Sequence, residues 1–382
     1  MNYNSSNNNF PPGGGMRPLG GGMGPPGGGM GPPPGFGSVP ISSIQRNLAF
    51  YGYIILFLFG FFGHATSATI FLHQTLRNVS TSCLFVCMVA SDTIYLLMCF
   101  YDFVFLGLGV PTKNSNLMNL LCRFYSFIQY FSMCCSAWLL LAIAIDRWLR
   151  IRFPFRVKEL CTRKRVLIGA SILCICSIAL NSHLLLPSMG AVPGTIACTP
   201  SPSSSATYQY FYSKIWSILI TSLQIVLPTI FLLIFSINIF IGLHRQQQQK
   251  RQLKPGRRRN FLDRQMLIIM LTSIFLFFVT QIPLGLFHIL MIYVLRPRLS
   301  LQQQLDLNTI SIFVASINYS ASFYIHCLSS RLFRQQFFNV IHIIRNHRVG
   351  MVTQILGPEA IQTQTQTQTQ LTRLQRGKST KA

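Results

Sequence analysis

Long apolar stretches alternate with short polar ones along most of the chain, from residue 48 to residue 329. Seven such stretches lie at residues 48–73, 81–107, 119–145, 166–189, 215–243, 265–295 and 306–329. Each reaches or exceeds the roughly 20 residues that an α-helix needs to cross the hydrocarbon core of a bilayer. Backbone polar groups inside lipid must be satisfied within the segment, so the pattern predicts seven transmembrane helices in an all-α membrane protein.

Composition supports this interpretation, because only 10% of the 382 residues are charged and 50% are hydrophobic. A soluble domain normally carries about 25% charged residues, so this chain is not suited to a surface covered by water. The net charge of +25 would by itself suggest a nucleic-acid partner. The positions of the basic residues decide against that partner.

Basic residues lie in every second connection between the predicted helices. Residues 147–165, residues 244–265 and the tail after Arg331 are rich in Lys and Arg. The opposite connections hold little beyond Lys113, Arg123, Lys214, Arg296 and Arg298. Lys and Arg are retained on the cytoplasmic side, so we expect a multi-pass plasma-membrane protein with an extracellular N-terminus and a cytoplasmic C-terminus. Attraction to anionic lipid of the inner leaflet adds to this bias. The expected partner of the basic residues is therefore the bilayer and not a nucleic acid.

Two segments lack the apolar side chains that a folded core requires. Residues 1–45, with GGGMGPPGGGMGPPPG, are predicted to be a disordered extracellular tail, and residues 347–382, with QTQTQTQTQ, a disordered cytoplasmic tail. Residues 46–330 between them are predicted to form the seven-helix domain. Asn4 opens an Asn-Ser-Ser sequon on the outer side and is a candidate glycosylation site, although the tripeptide is common by chance.

The cysteines divide according to the predicted topology. Of the eleven, only Cys122 and Cys198 fall on the outer side, the first opening the third helix and the second following the fourth. The outside is oxidising, so a disulfide between them is expected to hold that loop over the mouth of the bundle. Two free thiols are the alternative.

The segment LLLAIAIDRWLRIRFPF, residues 139–155, sets an acid and a base side by side at the end of the third apolar stretch. Asp146-Arg147-Trp148 here resembles the end of the third helix in the rhodopsin-like (class A) G-protein-coupled receptors, which reads Asp-Arg-Tyr. Other positions match this family in order and register over roughly residues 45–345: Cys122, 25 residues before Arg147, Asp92, Pro228, Phe277 and Pro283.

This resemblance implies a seven-transmembrane helix bundle followed by a short amphipathic eighth helix, at residues 331–346 here. Its apolar side chains would be available to lipid, namely Phe333, Phe337, Ile341 and Ile344.

The family's mechanism, carried onto this sequence, makes Arg147 the centre of a two-state switch. Asp146 and, in the resting state, Asp263 at the inner end of the sixth helix would hold Arg147. Breaking the second contact would let the sixth helix swing outward and free Arg147 to meet a heterotrimeric G protein. The alternative is that Arg147 only belongs to the basic cluster that sets topology, which leaves the acid beside it unexplained.

Asp92 is a carboxylate in the middle of an apolar helix, where such groups are costly and usually functional. The resemblance makes it a ligand of an allosteric sodium ion, and it implies no other cofactor. The further ligands of that ion would be Ser136, Asn318 and Ser322. The alternative is a protonated Asp92 held by hydrogen bonds.

Several family positions are altered in this chain. His64 stands where the first helix of the family has an asparagine. In the sixth helix, Gln281 of Thr280-Gln281-Ile282-Pro283 replaces the aromatic toggle residue of the family. In place of the family's seventh-helix Asn-Pro-x-x-Tyr motif, the residues from Ser322 to His326 read Ser-Phe-Tyr-Ile-His. Ser236 stands where the fifth helix of the family has a tyrosine. A tyrosine-to-tyrosine water bridge cannot form from Ser236 and His326, so a non-signalling or decoy receptor of the same fold is the alternative function.

The class of ligand is inferred mainly by excluding other classes. Gln129 stands where amine receptors need an acid, and Ser316 where opsins need a lysine. The remaining pattern, including LRNVSTSCLF and SFYIHCLSSRLFRQQF, resembles invertebrate FMRFamide-type neuropeptide receptors, which implies an extracellular peptide ligand. Polar residues near the outer half are the candidate pocket, each with core packing as its alternative role: Asp102, Gln129, Tyr130, Gln281 and His288.

Two other classes fit the sequence poorly. A secondary transporter would have related halves with paired broken helices, and no such repeat is present. A membrane enzyme would need clustered catalytic side chains, yet His64, His73, His183 and His288 are scattered over both leaflets. The chain is therefore expected to be a receptor and not an enzyme.

Overall fold

The computed structural model describes residues 41–73, 76, 79–110, 115–153, 155–156, 159, 161–191, 198–201, 203–250, 257–295, 298–331 and 333–342. Several predicted features lie outside these residues: Asn4, Ile344, the first tail up to residue 40, and the second tail after residue 346. The seven predicted helices are all present, as α1 Ser43–Leu72, α2 Ser80–Gly107, α3 Ser115–Arg152, α4 Arg163–Leu185, α5 Ala206–Lys250, α6 Arg257–Leu290 and α7 Leu301–Ser329.

Six of these helices, α1 to α6, are long and apolar enough to cross a membrane within the described part of the chain. The helix α7 is the exception, because polar residues are spread along its whole length, from Gln302 to His326. It packs against α1, α2 and α6, so neighbouring helices surround much of its polar surface. The prediction of seven helices is confirmed, with α7 the most polar of them.

The first helix begins inside the segment predicted to be a tail. Ser42 and Gln45 form a capping box. Ser42 Oγ accepts a hydrogen bond from the Gln45 backbone N–H, and the Gln45 side chain accepts one from the Ser42 backbone N–H. This motif satisfies two backbone donors at a helix start, so α1 begins at Ser43, inside the last residues of the predicted tail. Ser42 Oγ also donates to Asp306 Oδ1 over 2.6 Å, which ties this end to α7.

Large apolar side chains cover the outside of the bundle as well as its core. Leu58, Phe240 and Phe275 are 69%, 73% and 68% exposed. In water, so extended an apolar surface would drive aggregation. In a bilayer it is the ordinary contact with lipid, in agreement with a multi-pass membrane protein.

A two-stranded hairpin lies over the N-terminal end of α3, which the sequence predicts to be extracellular; this end of the bundle is called the outer end and the opposite one the inner end. Strand β1, Met189–Ala191, pairs antiparallel with β2, Cys198–Pro200. Cys198 is disulfide-bonded to Cys122, so the predicted bridge is confirmed. Asn119 Oδ1 accepts from the Ala191 N–H at 2.9 Å, and Arg123 Nε donates to the Met189 carbonyl at 2.7 Å. The hairpin is therefore held to α3 by polar contacts in addition to the covalent bond.

Replacing Cys122 or Cys198 with serine should lower thermal stability and surface expression. The bridge closes a loop with a sequence separation of 76 residues, for which loop-closure entropy predicts a loss of up to about 4.5 kcal/mol. The loss should be smaller than this ceiling, since α3 and α4 stay helical in lipid and the polar contacts remain. Thermal unfolding in detergent and cell-surface labelling measure it. Wild-type behaviour of both single variants would contradict the prediction, and Cys176→Ser, at an exposed free thiol, is the control.

A short helix α8, residues 333–342, follows α7. Phe338 and Ile341 are 63% and 44% exposed, as expected for a helix lying on a membrane surface. The prediction that Phe333 faces lipid is wrong, because it is only 1% exposed and packs against Phe71 and Phe323. Phe333 lies in the first turn of α8, directly beneath the inner end of the bundle, so its ring fills the core.

Candidate functional site

The inner end of α3 is joined to α2 through Asp146. Its carboxylate accepts hydrogen bonds from the Ser80 hydroxyl at 3.1 Å, from the Thr81 hydroxyl, and from Arg150 Nε at 2.9 Å. Arg150 also donates to Ser80 Oγ at 2.5 Å. The sequence predicts that this acid holds its neighbour Arg147, and Arg150, one turn further along, also forms an ion pair with it. Side chains four residues apart share one face of a helix, whereas adjacent ones do not.

Arg147 and Trp148 lie on other faces of the same turn. The Arg147 side chain is buried, with 2% of its surface exposed. Trp148 packs edge-on against Phe235 of α5, with ring centroids 5.5 Å apart. The side chain of Asp263, predicted to hold Arg147 in the resting state, lies outside the described part of the chain.

Close by, the Cys161 thiol reaches the Asp146 carbonyl oxygen at 4.0 Å from the connection between α3 and α4. Burial, reinforced by the negative charge of Asp146, raises the pKa of Cys161 to about 11. The thiol is therefore neutral at physiological pH and acts as a packing group.

Three side-chain hydrogen bonds join the inner half of α6 to α7 and the residue that follows it. Ser273 Oγ lies 2.9 Å from His326 Nε2, Thr272 Oγ1 lies 3.3 Å from Ser329 Oγ, and Ser330 Oγ donates to Gln265 Oε1 at 3.0 Å. We call these three pairs the α6–α7 contact. The sequence pattern indicated only His326 of its six members.

His326 occupies the position of the family's seventh-helix tyrosine and is surrounded by aromatic rings. Phe71, Phe85 and Phe333 meet its imidazole ring edge-on, with centroids 5.5–6.2 Å away. The Ser273 hydroxyl donates to the carbonyl of Ile269, so Nε2–H of His326 is the donor toward Ser273. The ring is thus a donor to α6, and Ser322, the other seventh-helix candidate, donates to the Asn318 carbonyl at 3.1 Å.

In the centre of the bundle Asp92 is 2% exposed and accepts a hydrogen bond from Ser136 Oγ at 2.6 Å. Asn318 and Ser322 are each 8% exposed. The four predicted sodium ligands are thus all buried, and carboxylate, hydroxyl and amide oxygens are the donors that a hard cation prefers. The donor set fits such an ion, and equally fits a protonated Asp92.

His64 replaces the family's first-helix asparagine and bridges three helices. Its Nε2 lies 2.6 Å from the Tyr319 carbonyl oxygen of α7, and its Nδ1 lies 2.7 Å from Thr93 Oγ1 of α2. A carbonyl oxygen only accepts, so Nε2 carries the hydrogen in the contact with Tyr319. The substitution therefore keeps α1, α2 and α7 connected.

A cavity of about 220 Å³ lies between α3, α5 and α6, towards the end of the bundle that carries the hairpin. Tyr130 and His288, two of the predicted pocket residues, line it. Trp216 and Gln224 of α5 line it as well, and neither was among the residues predicted from the sequence. A glutamine inside an otherwise apolar helix was the available signal for Gln224.

The three remaining pocket candidates do not line this cavity. Asp102 accepts from the hydroxyls of Tyr125 at 3.0 Å and Tyr53 at 3.4 Å, which joins α2 to α3 and α1. Gln281 donates through Nε2 to the Ala315 carbonyl of α7 at 3.0 Å. Gln129 is half-buried on α3, one residue before Tyr130. Asp102 and Gln281 therefore make interhelical contacts in this conformation.

Helix α5 contains a π-helical turn, Ser222–Val226, which ends two residues before Pro228 and helps to position the cavity residues of this helix. Proline has no N–H, so the carbonyl four residues earlier lacks its usual helical partner and the helix is locally widened. In this turn the Leu223 carbonyl accepts from Trp138 Nε1 of α3 at 3.1 Å. The contact fixes α5 against α3 next to Gln224.

Comparison with known proteins agrees with this architecture. Residues 66–326 match the family described as 7 transmembrane receptor (rhodopsin family). The chain therefore belongs to the rhodopsin-like seven-transmembrane receptors, a family of receptors and not of enzymes.

One relative is the galanin-like G-protein coupled receptor npr-9 of Caenorhabditis elegans, which is 28% identical over 127 residues. The match covers 33% of this chain and 28% of that receptor. The relative is a G-protein-coupled receptor by its description, and it shares only part of its length with this chain.

Proposed function

We propose that this protein is a cell-surface receptor that binds an extracellular ligand and activates a heterotrimeric G protein through outward movement of α6. The observation that carries the proposal is the burial of Arg147, a cation with 2% of its surface exposed at the basic end of the bundle. A buried cation at that end is out of reach of a protein partner. Movement of a neighbouring helix would uncover it.

The α6–α7 contact supplies the restraint that such a movement has to break. Its three hydrogen bonds lie in the inner half of α6, next to the end at which Asp263 is also expected to act. A contact made only in the closed state biases the equilibrium toward that state, which an allosteric switch requires. His326 and Ser273 would thus replace the tyrosine relay of the family.

A peptide is the ligand class that the observations favour. The relative is a galanin-like receptor, and the sequence motifs resemble neuropeptide receptors of the FMRFamide type. The hairpin pinned to α3 lies near the cavity and adds peptide-binding surface above it. With Gln129 in place of an acid, a protonated amine would lack its counter-ion on α3. The basic inner connections further support an extracellular N-terminus.

A sodium ion bound by Asp92, Ser136, Asn318 and Ser322 would neutralise the buried carboxylate and stabilise the closed conformation. We expect NaCl to raise the unfolding temperature relative to the same concentration of KCl, and Asp92→Asn to abolish that difference. Ligand that binds only the native state stabilises it by mass action. Ser91→Ala, adjacent on α2 but bonded to the Ser132 carbonyl, is the control. Equal responses of wild type to both salts would favour the protonated Asp92.

The test of the receptor proposal is a screen of amidated and free-acid peptides on cells that express the chain, read through second messengers and through G-protein nucleotide exchange. Cells with equal surface levels of the Arg147→Ala variant serve as the matched control. A peptide that signals only through the wild type supports the proposal. A peptide that binds the wild type and elicits no exchange from any G-protein class would favour the decoy receptor.

A further inference from the structure

A groove of about 550 Å³ runs along one side of α5, apart from the cavity between α3, α5 and α6. Tyr210 and Lys214, both exposed, form its outer end. The remaining described lining is aliphatic except for one hydroxyl, and consists of Ile215, Ile218, Leu219, Ser222 and Leu223. We propose that this groove binds one phospholipid whose headgroup carries a net negative charge, with the phosphate at Lys214 and an acyl chain along the aliphatic residues.

The depth of Lys214 in the bilayer follows from the length of the apolar stretch that begins directly after it. Residues 215–243 contain no charged side chain. A helix of that length measures roughly 43 Å, and a bilayer with its headgroups is about 40–45 Å thick. Lys214 therefore lies at the level of the outer phospholipid headgroups. From there to Leu223 the helix rises by roughly 14 Å, which is close to the hydrocarbon depth of one leaflet.

The direction of the groove follows from the spacing of its lining. The residues come in pairs at intervals of four, namely 214 and 215, 218 and 219, and 222 and 223. In a regular α-helix, positions four apart drift around the axis by about 40°. Two π-helical turns, Phe211–Trp216 and Ser222–Val226, hold more residues per turn and offset that drift. The groove therefore runs parallel to the axis of α5, as a lipid acyl chain does.

Charge complementarity selects the headgroup. The Lys214 ammonium and the Tyr210 hydroxyl are hydrogen-bond donors one turn apart, and lysine is a common partner of phosphate. No Asp or Glu is present among the described residues that line the groove. A zwitterionic headgroup would bring an ammonium group of its own close to Lys214, whereas an anionic one brings only the attraction. The groove therefore favours an anionic phospholipid over phosphatidylcholine.

The groove and the cavity use opposite sides of the same turns of α5. Ile218 and Leu219 line the groove, Ile220 and Gln224 line the cavity, and no described residue lines both. A lipid in the groove packs against the back of the cavity wall without entering the cavity. This inference therefore goes beyond the receptor function and does not depend on it.

The experiment places the photoreactive residue p-benzoylphenylalanine at Ile218 of the full-length protein. Nanodiscs that hold one copy contain equal amounts of phosphatidylglycerol and phosphatidylcholine with the same acyl chains. After irradiation, mass spectrometry of the labelled peptide gives the ratio of the two attached lipids. Phosphatidylglycerol should be enriched about fivefold, the factor that one lysine near a membrane surface contributes. The same probe at Ile230, exposed on α5 but outside the groove, should return the ratio of the mixture.

Two substitutions identify the group that selects the lipid. Lys214→Gln should return the ratio at Ile218 to that of the mixture. Arg298→Gln is the matched control, because it removes an exposed charge from the same end of the bundle and should leave the enrichment intact. Equal ratios at Ile218 and Ile230, or an enrichment that survives Lys214→Gln, would overturn the proposal.

Two other occupants are distinguished in the same preparation. An excess of glycerol 3-phosphate should leave the enrichment unchanged, since it has no acyl chain to fill the groove. Loss of the enrichment would show a simple anion site at Lys214 and overturn the assignment to a lipid. In nanodiscs that hold two copies, cross-links from Ile218 should still go to lipid. Cross-links to the second copy in place of lipid would make the groove a dimer interface and also overturn it.

Discussion

An Arg147→Ala receptor should lose G-protein activation at saturating peptide while still binding that peptide with unchanged affinity. Arg147 lies at the inner end of α3, at the opposite end of the bundle from the cavity and the hairpin. A charge-assisted hydrogen bond is worth about 1.5–3 kcal/mol, so its loss alone lowers coupling more than tenfold. Nucleotide exchange by purified G protein, compared with peptide binding on the same membranes, measures the two effects separately.

Arg152→Ala provides the matched control for this variant. Arg152 is the last residue of α3, is exposed, and contributes the same charge to the basic inner surface. If Arg147 acts only through membrane topology, the two variants should behave alike. If both signal like wild type at equal surface levels, Arg147 is a topology charge and the proposed switch is wrong.

Removing two bonds of the α6–α7 contact should raise signalling in the absence of ligand. A Gln265→Ala, Ser273→Ala double variant loses the hydrogen bonds to Ser330 and His326. Each is worth about 1 kcal/mol, so the pair shifts the equilibrium toward the open state by roughly thirtyfold. The measurement is ligand-independent nucleotide exchange, normalised to the amount of folded receptor.

Thr280→Val controls for loss of a buried hydroxyl on the same helix, since that hydroxyl bonds only to carbonyls of α6. Asp263→Ala should act in the same direction as the double variant. An ion pair of an exposed acid is worth about 1 kcal/mol, which would give a several-fold effect. Basal exchange that falls, or stays at the wild-type level, in the double variant would mean that the contact also forms in the active state.

The helices and the disulfide were predictable because each depends on a signal that is local or set by topology. An apolar stretch long enough to span lipid is a helix whatever its neighbours are. Only Cys122 and Cys198 fall on the side predicted to be oxidising, so their pairing could be predicted without knowledge of distances. Helix ends were less certain, because the start of α1 depends on the capping of Ser42 and not on hydrophobicity.

The polar contacts were harder to predict because they depend on which face of a helix each residue occupies. Adjacent residues in a helix point about 100° apart, so the sequence draws attention to Arg147 beside Asp146 and not to Arg150, which forms an ion pair with that acid from one turn away. Ser273 and His326 are 53 residues apart, and their contact follows from packing alone. The amphipathic pattern that places Phe333 in lipid does not distinguish a ring under the bundle from one beside it.

Trp216 was missed for a related reason. Aromatic residues at helical spacing most often belong to the core, and the sequence of α5 offers nothing to separate Trp216 from its apolar neighbours. What distinguishes it is an indole nitrogen that is buried without a partner among the described residues, which only coordinates reveal.

The polarity of α7 also constrains how the molecule is made. A segment with three consecutive glutamines and an aspartate near its outer end gains less than its neighbours on entering lipid by itself. Its polar groups find partners on earlier helices, through Asp306 with Ser42 and the Tyr319 carbonyl with His64. We therefore expect stable insertion of the last helix during biosynthesis to depend on the first being already in the membrane and correctly oriented. A substitution at His64 would accordingly act on the yield of complete chains before it acts on any signal.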